Sequence, residues 1–371
     1  MSEKPSPLVV QLTAPGRSAI ATVLVEGPGT MEIVGPHLRS GGGRPLAQCA
    51  ADRPVLRRFG PPPGEQVVVR RRSDESVELH CHGGLAAVAM IESALVEQGA
   101  RAIDWRDWIA GRHQDPITVA ARAALAEART ERTAAILLDQ YHGALRRAID
   151  EIEQAARRGK PREAASLVET LLARAELGRH LVCPWRVAIA GRPNVGKSSL
   201  INAMAGYSRA IVHPAAGTTR DVVTLNTAVC GWPIQLRDTA GLHDAGDELQ
   251  RAGVELAEAD VARADLVMLV FDAARPWSAA DRELLGRRPD ALIVHNKSDL
   301  PAAGGSRPAG LSTSALLGTG IEALADAIAT RLVPDPPPTG AAVPFSEEQI
   351  AWGKGVKGLL LTGEEKAERD S

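Results

Sequence analysis

Two apolar patterns predict strands and then helices in the first half of the chain. Residues 8–26, LVVQLTAPGRSAIATVLVE, hold two β-like apolar runs around a Pro-Gly turn, and residues 67–84 hold two more around polar turn residues. Glycine and proline clusters at 41–45 and 60–65 indicate loops, because both residue types interrupt strand pairing. These features predict a small α+β domain over residues 1–114.

Between residues 115 and 183 the period changes, and apolar residues recur at spacings of three and four. That spacing is typical of amphipathic helices. We interpret the apolar stripe as a packing face rather than a cofactor site.

Buried strands return at residue 185. The runs WRVAIAG, ADLVMLVFDA and ALIVHN are mostly apolar, and IQLRD is interpreted as a further buried strand. Helical segments alternate with these runs, the last being GIEALADAIATRL. This alternation predicts an α/β domain over residues 184–333, with a mostly parallel sheet and helices on both faces. Residues 334–371 are predicted to form a Pro-rich linker, a short helix over 346–361 and a frayed tail.

Composition limits the class of protein. A chain of 371 residues with 44% apolar residues has enough material for two or three cores. The net charge of −2 argues against a globally basic nucleic-acid binder. The four cysteines have no paired spacing, which indicates reduced thiols, and no apolar run approaches the roughly 18 residues of a membrane span. We therefore expect a cytoplasmic protein without a membrane partner.

The stretch GRPNVGKSSL, residues 191–200, lies between a predicted strand and a predicted helix. In that context backbone N–H groups between Gly191 and Gly196 can converge on phosphate oxygens. Lys197 would place a cation against the β- and γ-phosphates, and Ser198 would offer a hydroxyl to Mg²⁺. The stretch predicts a nucleotide site.

Three later motifs follow the order found in GTP-binding domains. In DTAG, Asp238 can reach Mg²⁺ through water, and Gly241 can offer an N–H to the γ-phosphate. In NKSD, the Asp299 carboxylate can accept both N–H groups of a guanine edge. In TSA, the Ser314-Ala315 pair lies where a backbone N–H would meet guanine O6. An ATPase or small-molecule kinase is the weaker alternative, because adenine lacks the donor pair that Asp299 recognises.

Between the first two motifs, HPAAGTTRD contains a threonine, Thr219, that can close over Mg²⁺ when a γ-phosphate is present. The alternative is a surface turn with a local threonine hydrogen bond. The residues predicted to contact GTP are Gly191, Asn194, Val195, Gly196, Lys197, Ser198, Ser199, Thr218, Thr219, Asp238, Thr239, Ala240, Gly241, Asn296, Lys297, Asp299, Ser314 and Ala315.

GRPNVGKSSLINAMAG, AIVHPAAGTTRDVV and DTAGL, with an N-terminal APGR and an HGG, resemble the tRNA-modifying GTPases of the MnmE type. The resemblance extends to about residue 333. It implies a GTPase domain inserted in a helical domain, behind an N-terminal domain that dimerises and binds formyl-tetrahydrofolate. Residues 334–371 would then be a remnant of the helical domain.

The resemblance also implies K⁺ as a second cofactor beside Mg²⁺, held by the phosphate-loop asparagine. Asn194 matches that asparagine, and the alternative is a polar loop residue making only local hydrogen bonds.

Leu242 stands where Ras-type proteins have a water-orienting glutamine. The predicted catalytic residues are Lys197, Gly241 and Gln250.

Gln250 is a departure from the family, which has its catalytic glutamate at the matching position. A neutral amide cannot act as a general base, although it can orient water. The sequence therefore predicts slow hydrolysis, with Glu248 as a weak substitute.

The C-terminal residues and the N-terminal domain also differ from the family pattern. The family ends in a longer helical stretch and Cys-Ile-Gly-Lys, whereas this sequence stops at Glu-Arg-Asp-Ser, which puts the tRNA reaction in doubt. Arg17, Glu78, His82 and Arg112 match or neighbour folate-site positions, but AIDWRDWIAGR replaces the usual Gly-Glu-Phe-Thr stretch. We interpret His80 and His82, which alternate on one strand face, as structural rather than metal ligands.

Two functions follow as expectations. The first is a homodimeric GTPase that hydrolyses GTP to GDP and phosphate in tRNA wobble-uridine modification, with a flavoprotein and tRNA as partners. The second is a regulatory switch derived from that family, with slow or no hydrolysis and no tRNA chemistry.

Overall fold

The computed structural model describes residues 6–14, 16, 18–39, 44–112, 115–207, 224–238 and 262–369, with side chains given up to residue 360 except that of Tyr207. The chain divides into two compact units, Met1–Val119 and Ala120–Ser371. Each unit has its own buried apolar cluster.

The first unit is a seven-stranded sheet with helices packed against it. Its strands are β1 (Leu8–Gln11), β2 (Ile20–Glu26), β3 (Leu38–Arg39), β4 (Val55–Phe59), β5 (Glu65–Ser73), β6 (Ser76–His82) and β7 (Arg101–Ala102), and its helices are α1 (Thr30–Val34), α2 (Leu85–Glu97) and α3 (Trp105–Ala110). The strand order is β3-β4-β5-β6-β2-β1-β7, and among these described strands only the β1–β7 pair is parallel.

Alternation along these strands explains the core of the first unit. Val67 and Val69 on β5 are buried, as are Val77 and Leu79 on β6, whereas Val68 between the first pair is exposed. One face of the sheet is therefore apolar and packs against α2 through residues such as Ile91. The strand runs predicted in residues 8–26 and 67–84 are present.

Helices occupy the stretch where the three-and-four spacing predicted them. They are α4 (Pro116–Glu127), α5 (Glu131–Tyr141), α6 (Ala144–Arg157), α7 (Pro161–Leu172) and α8 (Ala175–Arg179). Local signals start two of them: Thr130 caps α5 by accepting the Thr133 N–H at 3.2 Å, and Pro161 occupies the first turn of α7.

The nucleotide-motif region forms a six-stranded sheet. Its elements are β8 (Trp185–Ala190), α9 (Lys197–Tyr207), β9 (Thr224–Val229), β10 (Trp232–Asp238), β11 (Leu266–Asp272), α10 (Ala279–Arg287), β12 (Leu292–Asn296), β13 (Leu311–Ser312) and α11 (Ile321–Leu332). The order is β13-β12-β11-β8-β10-β9, and within residues 185–207, 224–238 and 262–332 only β9 is antiparallel to its neighbour. Apolar clusters cover both faces, so the predicted α/β architecture is present.

The C-terminal helix α12 (Glu347–Arg369) is longer than the predicted short helix with a frayed tail. Ser346 and Gln349 cap its start reciprocally, because the Gln349 N–H donates to Ser346 Oγ and the Ser346 N–H donates to Gln349 Oε1. No proline interrupts the residues that follow, and glutamate, lysine and alanine favour helix. The helix packs against α7.

Parallel strands place the predicted motifs at one edge of the sheet. The strands β8, β10, β11 and β12 run the same way. Their carboxyl ends at Ala190, Asp238, Asp272 and Asn296 therefore lie together.

In the described residues, no helix is both long enough and apolar enough to cross a membrane.

Candidate nucleotide-binding site

The loop between β8 and α9 requires glycine at two positions. Gly191 has φ 153°, and a Cβ there would overlap the Val270 carbonyl oxygen. Gly196 has φ 94°, and a Cβ there would overlap the Asn296 amide nitrogen. Asn194 also adopts a left-handed conformation, with φ 64°. The loop therefore packs tightly against the neighbouring strand ends, which fixes the path of its backbone.

Lys197 begins α9 and points back into the loop. It is 5% exposed, and its Nζ donates to the carbonyls of Gly191 at 2.9 Å and Arg192 at 3.0 Å. Burial lowers the pKa of the Lys197 ammonium from its ordinary value of 10.5, and the Asp238 carboxylate opposes that shift. The loop thus holds a desolvated cation where an anion would be strongly attracted.

Ser198 and Asp238, which the sequence predicts to serve the same cation, lie in contact. The Ser198 hydroxyl donates to Asp238 Oδ2 at 2.7 Å, and Asp238 is 3% exposed at the end of β10. Their oxygens are the ligand type that Mg²⁺ prefers.

Asn296 joins three segments through its buried amide. Its Nδ2 donates to the Val195 carbonyl at 3.0 Å. Its Oδ1 accepts the Ala315 N–H at 3.1 Å and the Thr313 hydroxyl at 3.3 Å. The Ala315 amide, predicted to meet guanine O6, here donates to Asn296.

Lys297, the next residue of the same motif, contacts the phosphate loop. Its Nζ donates to the Asn194 carbonyl at 2.6 Å and to Asp272 Oδ2 at 2.8 Å. Sequence reasoning missed Asp272, although its place at the end of the apolar run ADLVMLVFD was an available signal.

The Asp299 carboxylate is oriented by Ser314. The Ser314 hydroxyl donates to Asp299 Oδ1 at 2.5 Å and accepts the Leu317 N–H at 3.1 Å. Ser314 is buried, so this contact holds the carboxylate beside the loop that carries Ala315.

Comparison of the sequence with known proteins identifies the family of this chain. The family model described as 50S ribosome-binding GTPase matches residues 186–297. The tRNA modification GTPase MnmE of Parasynechococcus marenigrum (strain WH8102) is 33% identical over 376 residues, covering 87% of this chain and 80% of that protein. The MnmE of Magnetococcus marinus (strain ATCC BAA-1437 / JCM 17883 / MC-1) is 33% identical over 337 residues, covering 79% and 72%. The chain belongs to the MnmE family of tRNA modification GTPases.

Solved structures resemble a smaller part of this MnmE-family chain. Aquifex aeolicus Era bound to GDP and AlF4⁻ is 29% identical over 40% of this chain and 56% of its own, with a TM-score of 0.32. The G domain of the T. maritima FeoB iron transporter is 26% identical over 40% of this chain and 98% of its own, with a TM-score of 0.28. The family assignment rests on the sequence relatives.

Six residues predicted for the nucleotide site lie outside the described part of the chain: Thr218, Thr219, Thr239, Ala240, Gly241 and Gln250. Glu248 and Leu242 are outside it too. Ser199 follows Ser198 in α9 and is exposed.

Two of the candidate folate residues of this MnmE-family chain, Glu78 and Arg112, lie in the described part and have protein partners. Arg17 is outside the described residues. The Glu78 carboxylate is 3.3 Å from the guanidinium groups of both Arg70 and Arg72. Arg112 contacts the Glu26 carboxylate and stacks over the Trp108 ring. Ion pairing within the protein thus accounts for both charges.

Proposed function

We propose that this MnmE-family chain binds GTP with Mg²⁺ and hydrolyses it to GDP and phosphate. The observation that carries the proposal is the hydrogen-bonded network from the phosphate loop to Asn296, which aligns the loop with the Asp299 carboxylate. A guanine edge offers the two N–H groups that such a carboxylate accepts, whereas adenine does not.

The proposed phosphate contacts come from the loop and from the start of α9. Lys197 would exchange its two backbone carbonyl acceptors for β- and γ-phosphate oxygens. Ser198, with Thr219, would hold Mg²⁺, and Asp238 would reach it through water. Bound Mg²⁺ would neutralise phosphate charge. The 2.7 Å contact between Ser198 and Asp238 supports this pairing.

A K⁺ ion beside the phosphates is the second proposed cofactor. Asn194 supports it through its left-handed conformation and the carbonyl contact from Lys297, which together fix the asparagine in the loop. Bound K⁺ would supply positive charge next to the phosphates as negative charge develops there. The loop before the GTTR stretch, which begins at Gly217, would complete the surroundings of the ion.

Hydrolysis requires a water molecule aligned on the γ-phosphate. We propose that the Gly241 N–H contacts the γ-phosphate and that Gln250 orients the water through its amide. Because an amide does not take up the water's proton, we expect turnover to be slow.

Competition binding tests the proposal. Purified protein in Mg²⁺ should bind GTP and GDP at least about 100-fold more tightly than ATP, because the guanine contacts go to a charged acceptor. Equal affinity for ATP and GTP would remove the basis of the proposal.

The biological setting is proposed from the family: modification of the tRNA wobble uridine, with tRNA and a flavoprotein as partners in the cytoplasm. We also propose that residues 1–114 dimerise and that residues 115–183 and 334–371 form one helical domain around the GTPase domain 184–333. Formyl-tetrahydrofolate binding would require the Glu78 and Arg112 ion pairs to open, and we derive no reaction step from it.

A regulatory switch is the second candidate function, favoured by Gln250 in place of the family glutamate. Such a protein would bind GTP, hydrolyse it slowly or not at all, and leave tRNA unmodified. Wobble-uridine modification in cells lacking the gene separates the two candidates, because only the first predicts a loss of the modified base.

A further inference from the structure

Three side chains with metal-binding atoms meet in the second unit, at the amino end of β11 and so at the opposite end of that strand from Asp272. Glu176 and His180 are four residues apart at α8, and Asp265 directly precedes β11. His180 Nε2 is 3.5 Å from Glu176 Oε1 and 3.8 Å from Asp265 Oδ1. All three ligand atoms lie within 4.8 Å of one another.

The other polar atom of each side chain is engaged elsewhere. His180 Nδ1 lies 3.3 Å from the Cys183 carbonyl oxygen. Glu176 Oε2 accepts from Arg179 Nη1 at 2.8 Å, and Asp265 Oδ2 accepts the Arg186 N–H at 2.6 Å. Such partners orient metal ligands in proteins.

The Cys183 contact determines which imidazole nitrogen can bind a metal. A carbonyl oxygen only accepts hydrogen bonds, so Nδ1 carries the proton. In the neutral ring, Nε2 then has the free lone pair, and Nε2 is the nitrogen that faces the two carboxylates.

Packing holds the imidazole in place. The His180 ring stacks on Trp185 with ring centroids 3.6 Å apart and planes 17° apart, and its side chain is 11% exposed. Arg179 does not add an uncompensated positive charge, since its guanidinium also contacts Glu347 at 2.7 Å.

We propose that Glu176, His180 and Asp265 bind a divalent transition-metal cation of the Zn²⁺ type. Ligand atoms on a tetrahedral zinc with bonds of about 2.1 Å are about 3.4 Å apart, close to the observed 3.5 and 3.8 Å. The imidazole nitrogen favours zinc over Mg²⁺ or Ca²⁺. Two carboxylates balance the charge of the ion.

The bound ion would link α8 to the start of β11. Three protein ligands leave the remaining positions to water, and the ion lies at the opposite end of β11 from Asp272. Its expected effect is to stabilise the folded second unit, because a ligand that binds only the folded state raises the melting temperature.

Zinc titration of the full chain tests the proposal. Protein stripped of metal and supplied with excess Mg²⁺ and GDP is titrated with Zn²⁺ against a chromogenic chelator. We expect one site that Glu176→Gln and Asp265→Asn each weaken about tenfold or more. Glu163→Gln is the matched control, because Glu163 is a similarly exposed helix carboxylate paired with Lys160.

Melting curves supply the second readout. Zn²⁺ should raise the melting temperature of the wild type and of Glu163→Gln, and at the same Zn²⁺ concentration should raise that of the two site variants less. Equal melting temperatures in chelator would show that all four proteins are folded. Zinc binding that is absent from the wild type, or identical in all four proteins, would overturn the proposal.

Discussion

At the scale of single residues, the candidate site contains residues that belong to the sequence motifs and residues that lie outside them. The loop glycines, Lys197 and the Ser198–Asp238 pair were predictable, because short motifs have strict backbone and charge requirements. The bond from Lys297 to Asp272 was not, since it joins residues 25 positions apart through a strand register that the sequence does not display.

Asp299 should determine base specificity. Asp299→Asn replaces a charged double acceptor with an amide, which should cost about 3 kcal/mol of GTP binding, or about 100-fold in affinity. The same amide can donate to the extra oxygen of xanthine, so affinity for xanthosine triphosphate should rise. Fluorescent-nucleotide competition measures both, and unchanged GTP affinity would contradict the assigned guanine contact.

Lys197 should make nucleotide affinity depend on pH. Its pKa is lowered by burial, and phosphate oxygens would raise it again, so binding favours the protonated lysine. Affinity is therefore fully present below the lowered pKa and should fall as pH rises through it.

Guanine also loses its N1 proton in alkaline solution, so the decisive comparison for this pH effect is with Lys197→Arg. A guanidinium stays charged. The variant should bind more weakly overall and show a shallower fall in affinity with rising pH. Parallel pH profiles for the two proteins would exclude Lys197 as the titrating group.

At the scale of elements, the hairpin of β9 and β10 packs against α5. Its turn residues Cys230 and Gly231 have φ 48° and 81°. Arg132 donates to the Cys230 carbonyl at 2.9 Å and lies 4.8 Å above the Trp232 ring. The sequence predicted a helix in the region of α5 and a strand at β10. It did not predict β9, because TLNTAV lacks a clear apolar alternation. It did not predict the contact between Arg132 and Cys230 either, because these residues are 98 positions apart.

Arg132→Ala should destabilise the protein by about 1 to 2 kcal/mol, from the lost hydrogen bond and the lost cation–π contact. Thermal unfolding should show a melting temperature lower by a few degrees. Arg157→Ala, which removes only an exposed ion pair on α6, should cost less than about 0.5 kcal/mol. Equal costs for the two variants would refute the hairpin contact.

At the scale of the whole molecule, chain segments before and after the GTPase sheet are joined by buried polar groups. Gln140 on α5 donates to the Ala341 carbonyl at 3.0 Å and accepts the Val343 N–H at 3.1 Å. The Arg174 guanidinium donates to the Ala342 carbonyl at 3.0 Å. Periodicity predicted that residues 115–183 are helical, but it does not reveal that residues about 200 positions apart meet.

Gln140→Leu should loosen this junction. Leucine leaves the Ala341 carbonyl and the Val343 amide without their side-chain partner, which should destabilise the protein by about 2 to 4 kcal/mol. Protease cleavage near residue 340 should become faster. Gln154→Leu, on an exposed position of α6, should change stability by less than about 0.5 kcal/mol and leave cleavage unchanged. Equal cleavage of both variants would contradict a structural role for Gln140.

Single-turnover hydrolysis of GTP by the purified protein tests the central claim most directly. Rates are measured in K⁺ and in Na⁺ at equal ionic strength, for the wild type and for Gln250→Glu. We expect slow hydrolysis by the wild type that is faster in K⁺, and acceleration by the glutamate, which can take up a proton. Tight GTP binding with no phosphate release by either protein in either salt would contradict it.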